Sequence, residues 1–409
     1  MIVSSLKNIY SKINYRAVNG VDEERMPYRE QMEYLRRFPD PKDDFERSFY
    51  KYKCFCEYCY YKRKWIIALY NIGAMLLLPS IHSELRKAYK NASIIEQVDA
   101  VIENVSRLPN VDVMPEELRQ RFDRIKEVEQ IDYSKSLLSD AGENLYQELK
   151  KRYFFHFYYR MIVLQKLGLF SNYLECYQPK AIAFYSCERE FSGPLQAMLC
   201  EKSGAEYISF MHGDYLSTLS FAFQRYSVYY VWDESYIKMF QDLKCSSPMP
   251  VYRPKKLKGI ATVLKEEECE FFATYYFSDE TRDEATKIHE VFEKFEKHGL
   301  RTKVRPHPRF SDLEMLKEVF CDIEIENPSE CGLGESITKT LYTVGLNTTV
   351  LSEAFFSGKK VVMDDVSNIE AFNGLAERGY VMINRPHILL SELENKLYLD
   401  YGDNYAFYK

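Results

Sequence analysis

The 409-residue chain is 46% hydrophobic and 28% charged, the balance of an ordinary globular protein, and its length favours two domains over one. A net charge of −6 supplies no overall basic face and excludes nucleic acid as the main partner. Ten cysteines at irregular spacing form no disulfide framework, and the amino terminus carries no signal-peptide pattern, so a cytoplasmic protein with reduced thiols is expected.

Residues 1–64 read as a polar, tyrosine-rich, irregular extension broken at Pro39-Asp40-Pro41. Lys62-Arg63-Lys64 leads into the most apolar run, residues 65–81. A membrane span takes about 20 apolar residues. Asn71 and Pro79 interrupt this run, so a buried strand with its flanks is expected. The basic, aromatic stretch 50–65 beside it supports a second reading, peripheral contact with the inner face of a membrane.

A charged helical zone (116–150) and an aromatic helix (153–169) follow. Strands at 181–185, 207–211 and 226–232 then alternate with helices at 194–202 and 236–243, the pattern of a parallel sheet covered on both faces. Residues 246–258 hold three prolines and four basic residues and read as a linker. It divides a first domain, 1–250, from a second, 251–409, whose last helix could return to the first. The second series has strands at 270–277, 301–305, 323–325, 341–346 and 360–363, with helices at 279–298, 312–320 and 349–356. Gly299 and Gly358 are placed to stop two of those helices. The expected architecture is α/β, a pair of Rossmann-like domains facing each other across a cleft. Ligands of such sheets bind beyond the carboxyl ends of the strands.

Two strand ends stand out. After strand 341–346, Asn347-Thr348-Thr349 opens a helix, where backbone N–H groups, the helix dipole and two hydroxyls suit a phosphate. Plain N-capping explains the same residues. After strand 301–305 comes Arg305-Pro306-His307-Pro308-Arg309, a proline-stiffened turn holding two arginines and a histidine suited to phosphate oxygens.

This Pro-framed His307-Pro308 pair, followed some forty residues later by the Thr348-Thr349 helix start, resembles the motifs of bacterial sialyltransferases and polysialyltransferases of the GT-B fold. The wider run 305–365 is similar to transferases of capsule and lipooligosaccharide synthesis. The resemblance implies a glycosyltransferase whose donor phosphate, most naturally that of a CMP-linked sialic acid or related keto sugar, is held by Arg305, His307, Arg309, Asn347, Thr348 and Thr349. It implies a donor site on the second domain, a glycan acceptor entering from the first, inversion at the transferred carbon, and no required metal or cofactor. In such a fold Asp364, Asp365 and Glu370 would lie near the nucleotide base or ribose.

The acidic-pair-Gly triplet that carries the general base in those families is absent from this chain. Glu188 and Glu190 after one first-domain strand, and His212 and Asp214 after the next, are the substitutes, with Asp214, Glu188 and His212 the candidate bases. His212-Gly213 also resembles the His-Gly element of glycerol- and ribitol-phosphate transferases of teichoic acid synthesis, which implies a CDP-glycerol or CDP-ribitol donor and histidine as base. A non-catalytic nucleotide-sugar-binding subunit is a further reading, because the triplet is missing. Cys54, Cys56 and Cys59 fall one ligand short of a structural zinc site. Gly332-Leu-Gly334 lacks the rest of a dinucleotide fingerprint.

Overall fold

A computed structural model describes residues 26–103, 116–128, 133–185, 188–254, 257 and 259–400, without the side chains of 117 and 397–400. The chain divides into two units: 1–212 with 217–252, and 253–409 with the short segment 213–216.

Unit 1 opens with α1 (Tyr28–Arg36) and α2 (Asp44–Cys59), where irregular chain was expected. The Pro39-Asp40-Pro41 break separates these helices. Asp43 caps α2 by accepting from Glu46 N–H at 2.9 Å, and Phe45, Ser48, Tyr52, Phe55 and Tyr58 are buried along it. Residues 1–25 lie outside the described residues.

The apolar run at 65–81 is not a strand but the start of α3 (Trp65–Lys90), which passes through Pro79. Its buried positions, Tyr70, Ala74, Leu78, Ile81 and Leu85, recur with the helical period and not the period of two. Among the described residues β1 (Ala100–Glu103) and β2 (Ile125–Val128) were both missed, β2 because half its residues are charged. It is an edge strand, where charge is tolerated and useful. The charged zone therefore breaks into α4 (Glu116–Arg121), β2 and α5 (Asp140–Arg152). The aromatic helix is α6 (Phe157–Tyr177), apolar around its whole circumference and buried for most of its length.

β3 (Ala181–Tyr185), α7 (Gly193–Lys202), β4 (Glu206–Phe210), β5 (Val228–Tyr230) and α8 (Glu234–Asp242) complete the unit. All five strands are parallel, in the order 2-1-3-4-5. β3 is buried at every residue, as a central parallel strand covered on both faces must be.

Unit 2 runs β6 (Phe271–Tyr276), α9 (Arg282–Lys297), β7 (Thr302–Arg305), α10 (Leu313–Val319), β8 (Glu324–Ile325), α11 (Leu333–Thr338) and β9 (Thr340–Gly345). It continues α12 (Thr349–Phe356), β10 (Lys360–Met363), α13 (Ile369–Glu377), β11 (Ile388–Leu389) and α14 (Leu390–Asp400). A capping box between Thr281 and Glu284 starts α9, and Gly299 follows its end at φ +73°. Gly358, at φ +77°, ends α12 as expected. Ala273, Tyr275, Val304, Val344 and Val362 of the sheet pack with Ile288, Phe292 and Phe295 of α9 to form the core. The last helix packs inside unit 2, where Lys294 on α9 pairs with Glu394 at 2.5 Å.

The six strands of unit 2 are parallel in the order β11-β10-β9-β6-β7-β8. Counted within the unit this is 3-2-1-4-5-6, the Rossmann order, and the order reverses between β6 and β9. Both halves are therefore parallel-sheet α/β units of Rossmann type, as the fold expectation requires.

Candidate functional site

At the switch point of unit 2, the carboxyl ends of β6 and β9 feed the segments after Tyr276 and Gly345. Thr348 has the extended backbone of an N-cap, and its Oγ1 accepts from Val350 N–H at 3.4 Å. Capping is thus realised, and the positive end of the α12 dipole lies at the same place. Gly345 makes this packing possible: a Cβ there would meet Thr348 Cγ2 at 2.9 Å. Thr349, one residue on, accepts from Asp214 N–H at 3.3 Å through its own Oγ1. Gly213 permits that approach, since a Cβ on it would stand 3.3 Å from the same oxygen. Tyr380 joins the cluster by donating its hydroxyl to Thr348 O at 3.1 Å. Burial first, and then the charge of Asp214, pushes the Tyr380 phenol well above its ordinary range. Asp214, Thr348, Thr349 and Tyr380 therefore form one group within unit 2. Asn347 is exposed beside it.

His307 sits after β7, half-buried. Its backbone N–H donates to Ser311 Oγ at 2.8 Å, and that hydroxyl donates to Ser278 O at 3.0 Å, tying the loop after β7 to the loop after β6. Burial, and secondarily Arg309, lowers the His307 pKa below 6.5. Its Nδ1 accepts from Arg309 N–H at 3.1 Å, which leaves the proton of the neutral ring on Nε2. The neutral ring therefore offers an Nε2–H donor. Phe310 stacks on the ring at 4.5 Å. Pro308 and Arg309 are exposed.

Arg305 does not present its charge to a ligand. It is 7% exposed, and its guanidinium pairs with Glu326, which also holds the buried Lys303. Burial raises the Glu326 pKa, and the bonds from Lys303, Ser336 and Arg305 outweigh it to leave the carboxyl below its ordinary value. A charge removed from water needs such a partner, and Glu326 supplies it.

The expected nucleotide contacts divide in the same way. Asp364 is fully buried and accepts from Tyr275 OH at 2.7 Å and from the N–H groups of Val366 and Ser367, each at 2.9 Å. These bonds build the turn after β10. Asp365 accepts from Ser391 N–H at 2.9 Å and Ser391 Oγ at 2.5 Å, fastening the first turn of α14. Glu370 is exposed in the first turn of α13.

In unit 1, Glu188 follows the carboxyl end of β3 but turns inward. It is 2% exposed and its Oε1 accepts from Tyr229 OH at 2.9 Å. Its carbonyl accepts from the buried Lys51 Nζ at 2.7 Å and Gln224 Nε2 at 3.1 Å. This is a carboxylate that pins a loop. Glu190 pairs with Lys166. His212, half-buried, follows Met211, whose carbonyl accepts from Trp232 Nε1 at 2.9 Å. Cys54 and Cys56 are buried on α2, with thiols pushed up by burial, so they pack and do not react. Cys187 lies outside the described residues.

Several residues here had no sequence signal strong enough to select them. Glu326 and Tyr380 lie far along the chain from the residues they serve. Arg385, within 3.5 Å of Ser352 Oγ on α12, belongs to the same neighbourhood. Glu280 had a usable signal, the acidic pair Asp279-Glu280 just beyond β6. Its carboxylate accepts from Ser278 N–H at 2.5 Å, and burial pushes its pKa up to about 7.

No known protein family and no curated protein matches the sequence. Among solved structures the chain aligns with a calicheamicin glycosyltransferase at 9% identity, covering 75% of this chain and 91% of that one, with a TM-score of 0.42. It aligns with the UDP-N-acetylglucosamine 2-epimerase of Rickettsia bellii at 11% identity, covering 76% and 97%, with a TM-score of 0.41. With MurG of Acinetobacter baumannii the values are 10%, 74% and 90%, with a TM-score of 0.40. The fold class itself rests on the two strand orders.

Proposed function

We propose that this chain is a nucleotide-sugar-dependent glycosyltransferase of the GT-B kind, with unit 2 as the donor side and unit 1 as the acceptor side. The observation that carries the reading is the group at the β6/β9 switch point, where the α12 start, Thr348 and Thr349 meet Asp214. A helix start at a switch point suits a nucleotide phosphate, and a carboxylate beside it suits proton removal.

In this reading the acceptor hydroxyl attacks the anomeric carbon from the face opposite the leaving nucleotide. The new C–O bond forms as the bond to the phosphate oxygen breaks with its electron pair. The hydroxyl proton passes to Asp214, and the charge arriving on the phosphate is met by the α12 start, Thr348, Thr349 and the Nε2–H of His307. The preferred donor is CMP-linked sialic acid or a related keto sugar, and the preferred acceptor is a bacterial surface glycan, capsule or lipooligosaccharide, assembled on the cytoplasmic side. No metal is required by this scheme. Phosphotransfer from CDP-glycerol or CDP-ribitol, with His212 as base, is the second reading, favoured by the position of His212 directly before the 213–216 segment.

Thermal shift against CMP, CDP, UDP and GDP tests the donor. A nucleotide at one hundred times its Kd adds about 2.7 kcal/mol. Stabilisation by CMP supports the first reading, by CDP alone the second, and by UDP alone removes both.

A further inference from the structure

Helix α3 has two apolar faces. Tyr70, Ala74, Leu78, Ile81 and Leu85 form one, buried against α6. Trp65, Leu69, Ile72 and Leu76 recur at i, i+4, i+7 and i+11 on the opposite side, exposed by 63, 55, 55 and 71%, with Met75 beside them. At about 100° per residue the two sets centre on opposite sides of the helix. An exposed stripe of this size is a binding surface or a liability.

The surroundings indicate what covers it. Asn71 Oδ1 accepts from Tyr158 N–H at 2.9 Å, which brings the start of α6 and the loop before it alongside α3. That loop exposes Phe154 and Phe155. Lys62, Arg63 and Lys64 are exposed at the amino end of α3, and Lys150 and Lys151 are exposed at the end of α5. Nearby anions are partly consumed: Glu57 pairs with Lys64 at 2.7 Å, and Glu148 and Asp43 pair with Arg152. In a chain of net charge −6, a run of three basic residues at the amino end of an aromatic and aliphatic stripe is a local departure from the average.

We propose that α3 lies flat on an anionic lipid surface. Trp65, Leu69, Ile72, Met75 and Leu76 enter the boundary between headgroups and acyl chains, and Lys62 and Arg63 meet the headgroups. The helix, 26 residues long, is apolar and long enough to cross a bilayer by composition. Its second face is committed to α6, so it rests in the interface instead of spanning it. This inference does not depend on the nature of the reaction.

The chain has two tryptophans, and Trp232 is 2% exposed, so Trp65 serves as the reporter. The full-length Trp232→Phe variant is mixed with vesicles of phosphatidylcholine alone or with anionic phosphatidylglycerol. The proposal expects a blue shift and quenching by brominated acyl chains with the anionic vesicles only. Co-sedimentation of the unmodified chain is a second readout that needs no tryptophan variant. Leu69→Glu with Leu76→Glu, both at exposed positions, should lower partitioning at least ~tenfold, and Lys62→Gln and Arg63→Gln about fivefold each. Failure of the unmodified chain to sediment with anionic vesicles overturns the proposal. So does a Trp65 shift that needs no vesicles and follows dimerisation, because a second copy then covers the face.

Discussion

Asp214 and Thr349, 135 residues apart in the chain, meet through one hydrogen bond from the Asp214 N–H to Thr349 Oγ1 at 3.3 Å. The bond uses the hydroxyl as an acceptor and leaves it one proton to donate. It also fixes the carboxylate-bearing residue at the start of α12, so the two proposed roles, proton removal and phosphate binding, can be tested separately by substitution.

Thr349→Val keeps the shape and removes the hydroxyl. A hydrogen bond to a charged group contributes ~1.5–3 kcal/mol, so CMP affinity should fall about 10- to 100-fold by calorimetry. Thr349→Ser should retain most of it. Equal affinity for all three forms would remove Thr349 from the phosphate site.

Asp214→Asn preserves the backbone donor and removes the base. Transfer should fall by about 10²- to 10⁴-fold while CMP affinity stays within about twofold. If His212→Gln produces that separation and Asp214→Asn does not, the histidine is the base.

Glu326→Ala strands two buried cations, Lys303 and Arg305, and should destabilise the fold by ~3–5 kcal/mol in denaturant unfolding. Arg305→Met should likewise act on stability, with nucleotide affinity in the folded fraction little changed. A large loss of affinity in a stable Arg305→Met protein would return this arginine to the ligand.

Two groups give stability opposite dependences on pH. His307 has a lowered pKa, so its favourable state is fully present above about 6.5 and is lost as pH falls through that value and the depressed folded one. Glu280 is raised to about 7, so its contribution is fully present below the ordinary 4.5 and is lost as pH rises through about 7. His307→Gln should therefore narrow the drop in Tm between pH 7.5 and pH 5, and Glu280→Gln should raise Tm at pH 8 more than at pH 4. A pH profile unmoved by either change would refute the assignments.

The sequence showed the second unit more clearly than the first. Its strands are short apolar runs closed by glycine, proline or a cap, and those local signals survive folding. Much of unit 1 was hidden because α3 is apolar on two faces, which erases amphipathic contrast, and because β2 is a charged edge strand. Positions near a strand end were also legible, but the direction of a side chain was not. Arg305, Glu188 and Asp364 were sensible candidates by place, yet each is claimed by a partner distant in sequence: Glu326, Tyr229 and Tyr275. Only tertiary packing decides whether a charge faces a ligand or the core.

The two sheets also bear on ancestry. Unit 1 runs 2-1-3-4-5 and unit 2 runs 3-2-1-4-5-6 when each is counted from its own first strand. The two orders differ by one edge strand: without the two-residue β8, unit 2 has the 2-1-3-4-5 order of unit 1. Both halves reverse at the equivalent place, between β1 and β3 in unit 1 and between β6 and β9 in unit 2, so descent from one duplicated segment needs only the gain or loss of an edge strand and no rerouted crossover.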